Sequence, residues 1–133
     1  MVCSTEARKD IDASLGVDVL GITAPTWVDH AYACRYRYPD GVISMTVKEL
    51  DDAAGTQRYY DALGALLGRQ PDAIAFGQGA FITTDGSVVV KKDWKVLFVD
   101  VSGLPAQFGP SRLVHSDAAV SVAAAIMGCW TGV

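Results

Sequence analysis

Histidine, cysteine and charge of either sign are all scarce in this chain, and each scarcity removes a class of function. Only 2 histidines and 3 cysteines occur in 133 residues. They form no Cys-x-x-Cys or His-Glu-x-x-His spacing, so no recognisable zinc ligand set is present and neither a metal nor a cofactor is expected. Charged side chains make up 20% and sum to −4, which removes the basic footprint of a dedicated nucleic-acid binder. Long hydrophobic runs are missing too. The longest nearly apolar stretch, residues 118–130, includes Ser121 and falls well short of the roughly 20 residues that cross a bilayer as a helix. Residues 1–20 contain Glu6, Arg8, Lys9, Asp10 and Asp12 and show no apolar run ahead of a small-residue cleavage site, unlike a secretory signal. Two expectations fit these termini: a cytoplasmic protein, or the soluble part of a longer, membrane-tethered protein.

What is present is a chain that is 50% hydrophobic, enough for one ordinary core, so residues 1–133 are expected to form a single domain. Ala7, Ile11 and Leu15 recur at helical spacing behind Ser4, a capping residue, and Gly16 stands where a left-handed helix end is wanted. Residues 21–29, with Pro25, read as a loop. The alternation that follows predicts a hairpin turning at Asp40-Gly41, with Cys34, Tyr36, Tyr38, Ile43, Met45 and Val47 on one face and Arg35, Arg37 and Lys48 on the other. Thr56 is the expected cap of a second helix through Tyr59, Tyr60, Leu63 and Leu67, closed by Gly68. A meander follows, with turns at Asp85-Gly86 and Lys91-Lys92-Asp93. Its strands are apolar on both faces and so call for fuller cover than the first hairpin. Ser116 or Asp117 opens a last helix that is apolar almost all round. The expected fold is two-layer α+β, an antiparallel sheet of about five strands with helices on one face, in the order α-β-β-α-β-β-β-α.

Cys3, Cys34 and Cys129 all fall near the expected core. Three buried thiols suit a cytoplasmic protein, and one disulfide with an odd thiol suits an exported one. The sequence alone leaves all pairings open, Cys34–Cys129 among them. A cysteine heading the helix of the Cys-Ser-Thr-Glu-Ala-Arg-Lys-Asp segment, followed by Cys34-Arg35-Tyr36 at the start of a strand, resembles small exported lipoprotein domains of actinobacteria whose activity is unassigned. The resemblance implies a Cys3–Cys34 bridge, a cell-envelope location and no catalytic residues. Cys129 lies outside that pattern.

Signals for chemistry are few. Gly77-Gln78-Gly79 lacks a following Gly-Lys-Ser/Thr and precedes a strand, so a plain turn is expected and not a phosphate loop. His115 and Cys129, separated along one helix by about 20 Å at 1.5 Å per residue, do not form a nucleophile pair. Glu49, Asp51 and Asp52 read as a solvated turn. Asp100 either meets a partner such as Arg35 or lies at a sheet edge in water. The candidate binding face is therefore Arg35, Arg37 and Lys48, with two loop aromatics that fit no buried stripe, Trp27 and Phe108. These features predict an extracytoplasmic, cell-envelope domain without catalytic activity that binds a protein, small molecule or lipid. The alternative is a cytoplasmic structural or regulatory subunit acting through an oligomer interface.

Overall fold

A computed structural model describes residues 5–71 and 74–130, apart from the side chains of residues 5, 6, 129 and 130. In chain order the elements are α1 (Thr5–Leu15), β1 (Gly21–Ile22), β2 (Thr26–Val28), β3 (Ala31–Tyr38), β4 (Gly41–Glu49), α2 (Ala53–Leu67), β5 (Gly79–Ile82), β6 (Val88–Lys92), β7 (Lys95–Asp100) and α3 (His115–Trp130). The α+β class and the antiparallel sheet are as expected, but the sheet has 7 strands, in the order β1-β3-β4-β7-β6-β5 with β2 also on β3. The two additional strands lie in the segment read as a loop. Leu20 N–H donates to Arg37 O at 2.7 Å and Thr23 N–H to Arg35 O at 3.0 Å, so this segment follows β3 despite Pro25. Its exposed residues show no alternation from which a strand could be read.

Period-2 alternation builds the inner face. Cys34, Tyr36 and Tyr38 of β3, Ile43, Met45 and Val47 of β4, and Leu97 and Val99 of β7 are buried against Ile11 and Leu15 of α1 and Val122 and Ile126 of α3. Gly16 has φ +70° and its N–H donates to Asp12 O at 2.9 Å, ending α1 as the glycine position implies. Ser4, its expected cap, lies outside the described residues.

The expectation of helices on a single face is corrected. Tyr60, Phe81, Val89 and Val96 form a second cluster, with Tyr59, Leu63 and Leu67 packed on it, so α2 covers the opposite face of β5, β6 and β7. The physical reason is the two-sided apolar character of those strands: Val88, Val89 and Val90 are all buried, and consecutive strand residues point to opposite faces. Arg69 lies over Phe81 at 4.3 Å and pairs with Asp61 at 3.4 Å, closing the rim of this cluster. Among the described residues no helix packs over the outer face of β3.

Four turn and cap expectations also shift. The turn expected at Lys91-Lys92-Asp93 falls on Asp93-Trp94, since Lys92 pairs with Lys95. Tyr38 pairs with Gly41 and Tyr36 with Ile43, so the first hairpin turns at Pro39-Asp40. Pro at the first central position and Gly just after the turn is a favoured type I arrangement. Moving the turn by one residue shifts each cross-strand partner by two, so every side chain keeps its expected face. Gly41 is needed for proximity: a Cβ there would lie 2.6 Å from Gly103 O and 3.1 Å from Leu104 Cα. The cap of α2 is Asp52, whose Oδ1 accepts from Gly55 N–H at 2.6 Å, while Thr56 donates its hydroxyl to Asp52 O at 2.7 Å. The α3 helix opens at His115, ahead of both expected positions, Ser116 and Asp117.

Two predictions follow from this packing. Gly41→Ala forces backbone against backbone and is expected to cost about 1–3 kcal/mol, read as a lower urea midpoint; an unchanged midpoint would show that the Gly103 segment yields freely. Burial, reinforced by the Asp12 carboxylate, pushes the Tyr36 phenol up to about 12 and raises Tyr38 further for the same two reasons. Phenols in the unfolded chain ionise near 10, so the unfolded state sheds protons first as pH rises. This stabilisation is therefore intact below about pH 10 and is lost as pH climbs towards 12. The urea midpoint should fall over that interval, and less steeply in a Tyr36→Phe/Tyr38→Phe variant; parallel profiles would refute the assignment.

Candidate functional site

The C-terminal end of β4 holds two hairpin turns side by side. Val28 pairs with Ala31 across Asp29-His30, and Lys92 pairs with Lys95 across Asp93-Trp94. All four turn residues have positive φ, 51° and 58° in the first turn and 52° and 61° in the second. A two-residue loop with both central residues left-handed is the type I′ geometry that matches strand twist, and it ordinarily uses glycine or asparagine. Trp94 is a bulky residue in that region, held at a local cost of about 1–3 kcal/mol. Consecutive amides of the β4 end anchor the pair: Glu49 N–H donates to His30 O and Leu50 N–H to Trp94 O, each at 2.8 Å.

This anchoring fixes the end of the sheet as a ridge with apolar side chains on both of its sides: Trp27 shares the inner-face row of Tyr32 and Val47, and Val28 the outer-face row of Ala31 and Lys48. Trp27, Val28 and Trp94 are 54%, 64% and 54% exposed, and Trp27 meets the His30 ring edge to face at 5.8 Å. Depressions flank the ridge. One of about 510 Å³ lies towards the start of α2, walled by His30, Lys48, Asp51, Arg58 and Tyr59. A second, of about 310 Å³, lies beneath Trp94 beside Thr56, Gln57, Gln78 and Lys91. A third, of about 240 Å³, is lined by Trp27, Tyr32, Val47, Glu49 and Lys95. Lys48 is fixed by donating Nζ–H to Asp29 O and lies 5.9 Å from the centre of the Tyr59 ring.

The residues singled out from sequence are only partly brought together. Arg35, Arg37 and Lys48 share the outer face, as their register with Ser44, Val42 and Ala31 shows. Lys48 nevertheless stands four residues beyond the Arg35 row, about 13 Å at the rise of a strand, so the three cations do not converge. Arg35 borders a shallow basin of about 500 Å³ with Thr23, Thr26, Ser44, Thr46 and Asp100. Ser44 separates Arg35 from Asp100 in the same row, and no ion pair joins the two. Asp100 instead accepts from Ser102, N–H at 2.9 Å and hydroxyl at 2.7 Å, closing the end of β7. Trp27 is on the ridge, but Phe108 is not an exposed loop aromatic. It is 1% exposed, stands edge to face on Tyr38 at 5.2 Å and is held by paired bonds with Leu113, which is why no helical or strand period accounts for it.

Cys34 is buried on the inner face and disulfide-bonded; Cys3 and the Cys129 side chain lie outside the described residues. His115 works as a clamp. Its Nδ1 is 3.1 Å from Asp85 O, and its Nε2 is 2.9 Å from Leu104 O and 3.1 Å from Pro105 O. Burial opposes ionisation of Asp85, but hydrogen bonds from Thr83 and Ser87 and the nearby His115 outweigh it and lower its pKa. Gly77-Gln78-Gly79 is a turn, with Gln78 N–H donating to Lys91 O at 2.8 Å. Among the described residues no group of three or more His, Cys, Asp or Glu side chains is placed to hold a metal ion, and no helix is long and apolar enough to cross a membrane.

No protein-family model, curated protein or solved structure matches this chain.

Val28 and Trp94 are the ridge residues that sequence reasoning passed over. A signal for Trp94 existed: the strands on either side of Asp93-Trp94 are apolar on both faces, and centring their pairing puts the turn on those two residues. Trp94→Gly removes the strained backbone and little buried surface, so the urea midpoint is expected to stay level or rise by up to about 1 kcal/mol of stability. A loss exceeding that would show that the indole packs as part of the core.

Proposed function

We propose that this chain is an extracytoplasmic, cell-envelope binding domain without catalytic activity, and that it takes a protein partner on the ridge of Trp27, Val28 and Trp94. The observation that carries this reading is two exposed tryptophans, Trp94 on one left-handed turn and Trp27 in β2 two residues before the other, with both turns bonded to the end of β4. Tryptophan is enriched among residues that dominate binding energy, and rigid presentation lowers the ordering cost of association. A strained Trp in place of the glycine that the turn favours serves recognition at the expense of local stability.

The location rests on the likeness to exported lipoprotein-type domains and on Cys34 as half of a disulfide, since such bonds persist in oxidising compartments. The pairing proposed is Cys3–Cys34, with Cys34–Cys129 as the alternative, and the tether belongs to a longer form of the protein. In this reading Arg35 and Arg37 are a solvated sheet face beside the contact surface.

A photoreactive amino acid at position 28, compared with one at the still more exposed position 66 on α2, tests the surface in the native cells. A discrete protein adduct is expected from position 28 only, weakened at least about tenfold in a Trp27→Ala/Trp94→Ala variant. Equal adducts from both positions, none from either, or an adduct with a second copy of the chain would overturn the reading. Alkylation without reduction, followed by peptide mapping, should find one bridged pair and one free thiol; three alkylated thiols would remove the oxidising compartment.

A further inference from the structure

The inner face of the sheet continues past its helical cover at the corner below the ridge. There the register sets Trp27 beside Tyr32, Tyr32 beside Val47 and Val47 beside Leu97. In the next row Glu49 stands directly opposite Lys95. Trp27, Tyr32 and Val47 wall the depression of about 240 Å³, and Glu49 and Lys95 are its polar groups. Its volume lies under the roughly 300–1,000 Å³ of ordinary ligand pockets, so it admits one side chain's worth of apolar matter and not a larger molecule.

The two charges give the site its chemistry. Directly paired residues of antiparallel strands have Cα atoms about 4.5–5.5 Å apart, yet no ion pair within 4.0 Å joins Glu49 to Lys95, while Arg69 and Asp61 do make one. A carboxylate and an ammonium therefore stand side by side at the mouth of an apolar recess, with their charges available to a ligand. The complementary molecule carries an ammonium and a carboxylate on one carbon, with an apolar group projecting from it. The geometry points to a binding site for a free apolar α-amino acid, aromatic or branched aliphatic, whose side chain packs into the recess walled by Trp27, Tyr32 and Val47. Its ammonium meets Glu49 and its carboxylate meets Lys95. A residue within a peptide lacks both charges and a terminal residue lacks one, so the site distinguishes the free amino acid from a peptide end. This inference goes beyond the partner surface, with which it shares only Trp27.

Calorimetric titration of the full chain with L-phenylalanine tests it, alongside N-acetyl-L-phenylalanine, which lacks the ammonium, and L-phenylalaninamide, which lacks the carboxylate. Saturable binding of L-phenylalanine is expected, with both analogues at least about tenfold weaker. Glu49→Gln should weaken the amino acid to the level of the N-acetyl compound, and Lys95→Met to the level of the amide. Circular dichroism confirms that these rim variants are folded. No saturable heat at millimolar L-phenylalanine, or analogues that bind as well as the amino acid, would overturn the proposal. The titration involves no partner protein, so its failure leaves the crosslinking result at position 28 standing, and the reverse also holds.

Discussion

Everything in this fold is hung on the pairing of β4 with its two neighbours. Its inward residues Ile43, Met45 and Val47 lie at the centre of the buried face, and its outward residues alternate with them strictly. A register slip of one residue against β3 would drive Ser44 and Thr46 inward, so hydrophobic burial fixes which face is which. At one end Val42 N–H reaches Gly103 O at 3.2 Å, and at the other the amides of Glu49 and Leu50 receive two separate turns. The strand that centres the core is also the post to which the exposed ridge is fastened.

That arrangement joins stability to recognition without making them the same thing. Trp94 stands on one left-handed turn and Trp27 in the strand that leads into the other, and both turns persist because β4 is immobilised by the core behind it. Local strain of this kind survives only where surrounding structure over-determines it. The opposite sheet end shows the contrast: Gly86 has φ +90°, the Thr83–Ser87 turn is satisfied by its own hydroxyls, and His115 seals it against backbone carbonyls. Glycine and internal bonding occupy the structural turn, while bulky exposed rings occupy the other.

The sequence made the face assignments legible and left much of the architecture illegible, for physical reasons. Alternation in β3 and β4 reported burial correctly even though the turn was misplaced by one residue, because that moves each cross-strand partner by two and a period of two is blind to such a shift. The apolar runs of β6 and β7 announced cover on both faces, but periodicity alone does not say which helix supplies it, and α2 lay opposite to the expected side. β1 and β2 are too short and too exposed to leave a pattern. The candidate site was read in part: Trp27 stood out as an aromatic with no stripe to join, whereas Trp94 was hidden by an Asp-Trp turn with no glycine to mark it. Phe108 had the same signature as Trp27 and the opposite fate, since folding back onto Tyr38 depends on a pairing with Leu113 that no local rule foretells.

The division of the first edge strand into two residues of β1 and three of β2, with Pro25 between them, bears on how anything can approach the ridge. A growing ribbon needs several consecutive free amides and carbonyls along a straight rim, and short, interrupted edges withhold them. At the far rim Gln70 N–H donates to Ile82 O at 2.7 Å, covering the end of β5. Among the described residues, crowded copies of the protein therefore meet a short and interrupted backbone edge at β1 and β2. A visitor to Trp27 and Val28 must make its specificity from side-chain shape instead of borrowing the ladder of the sheet.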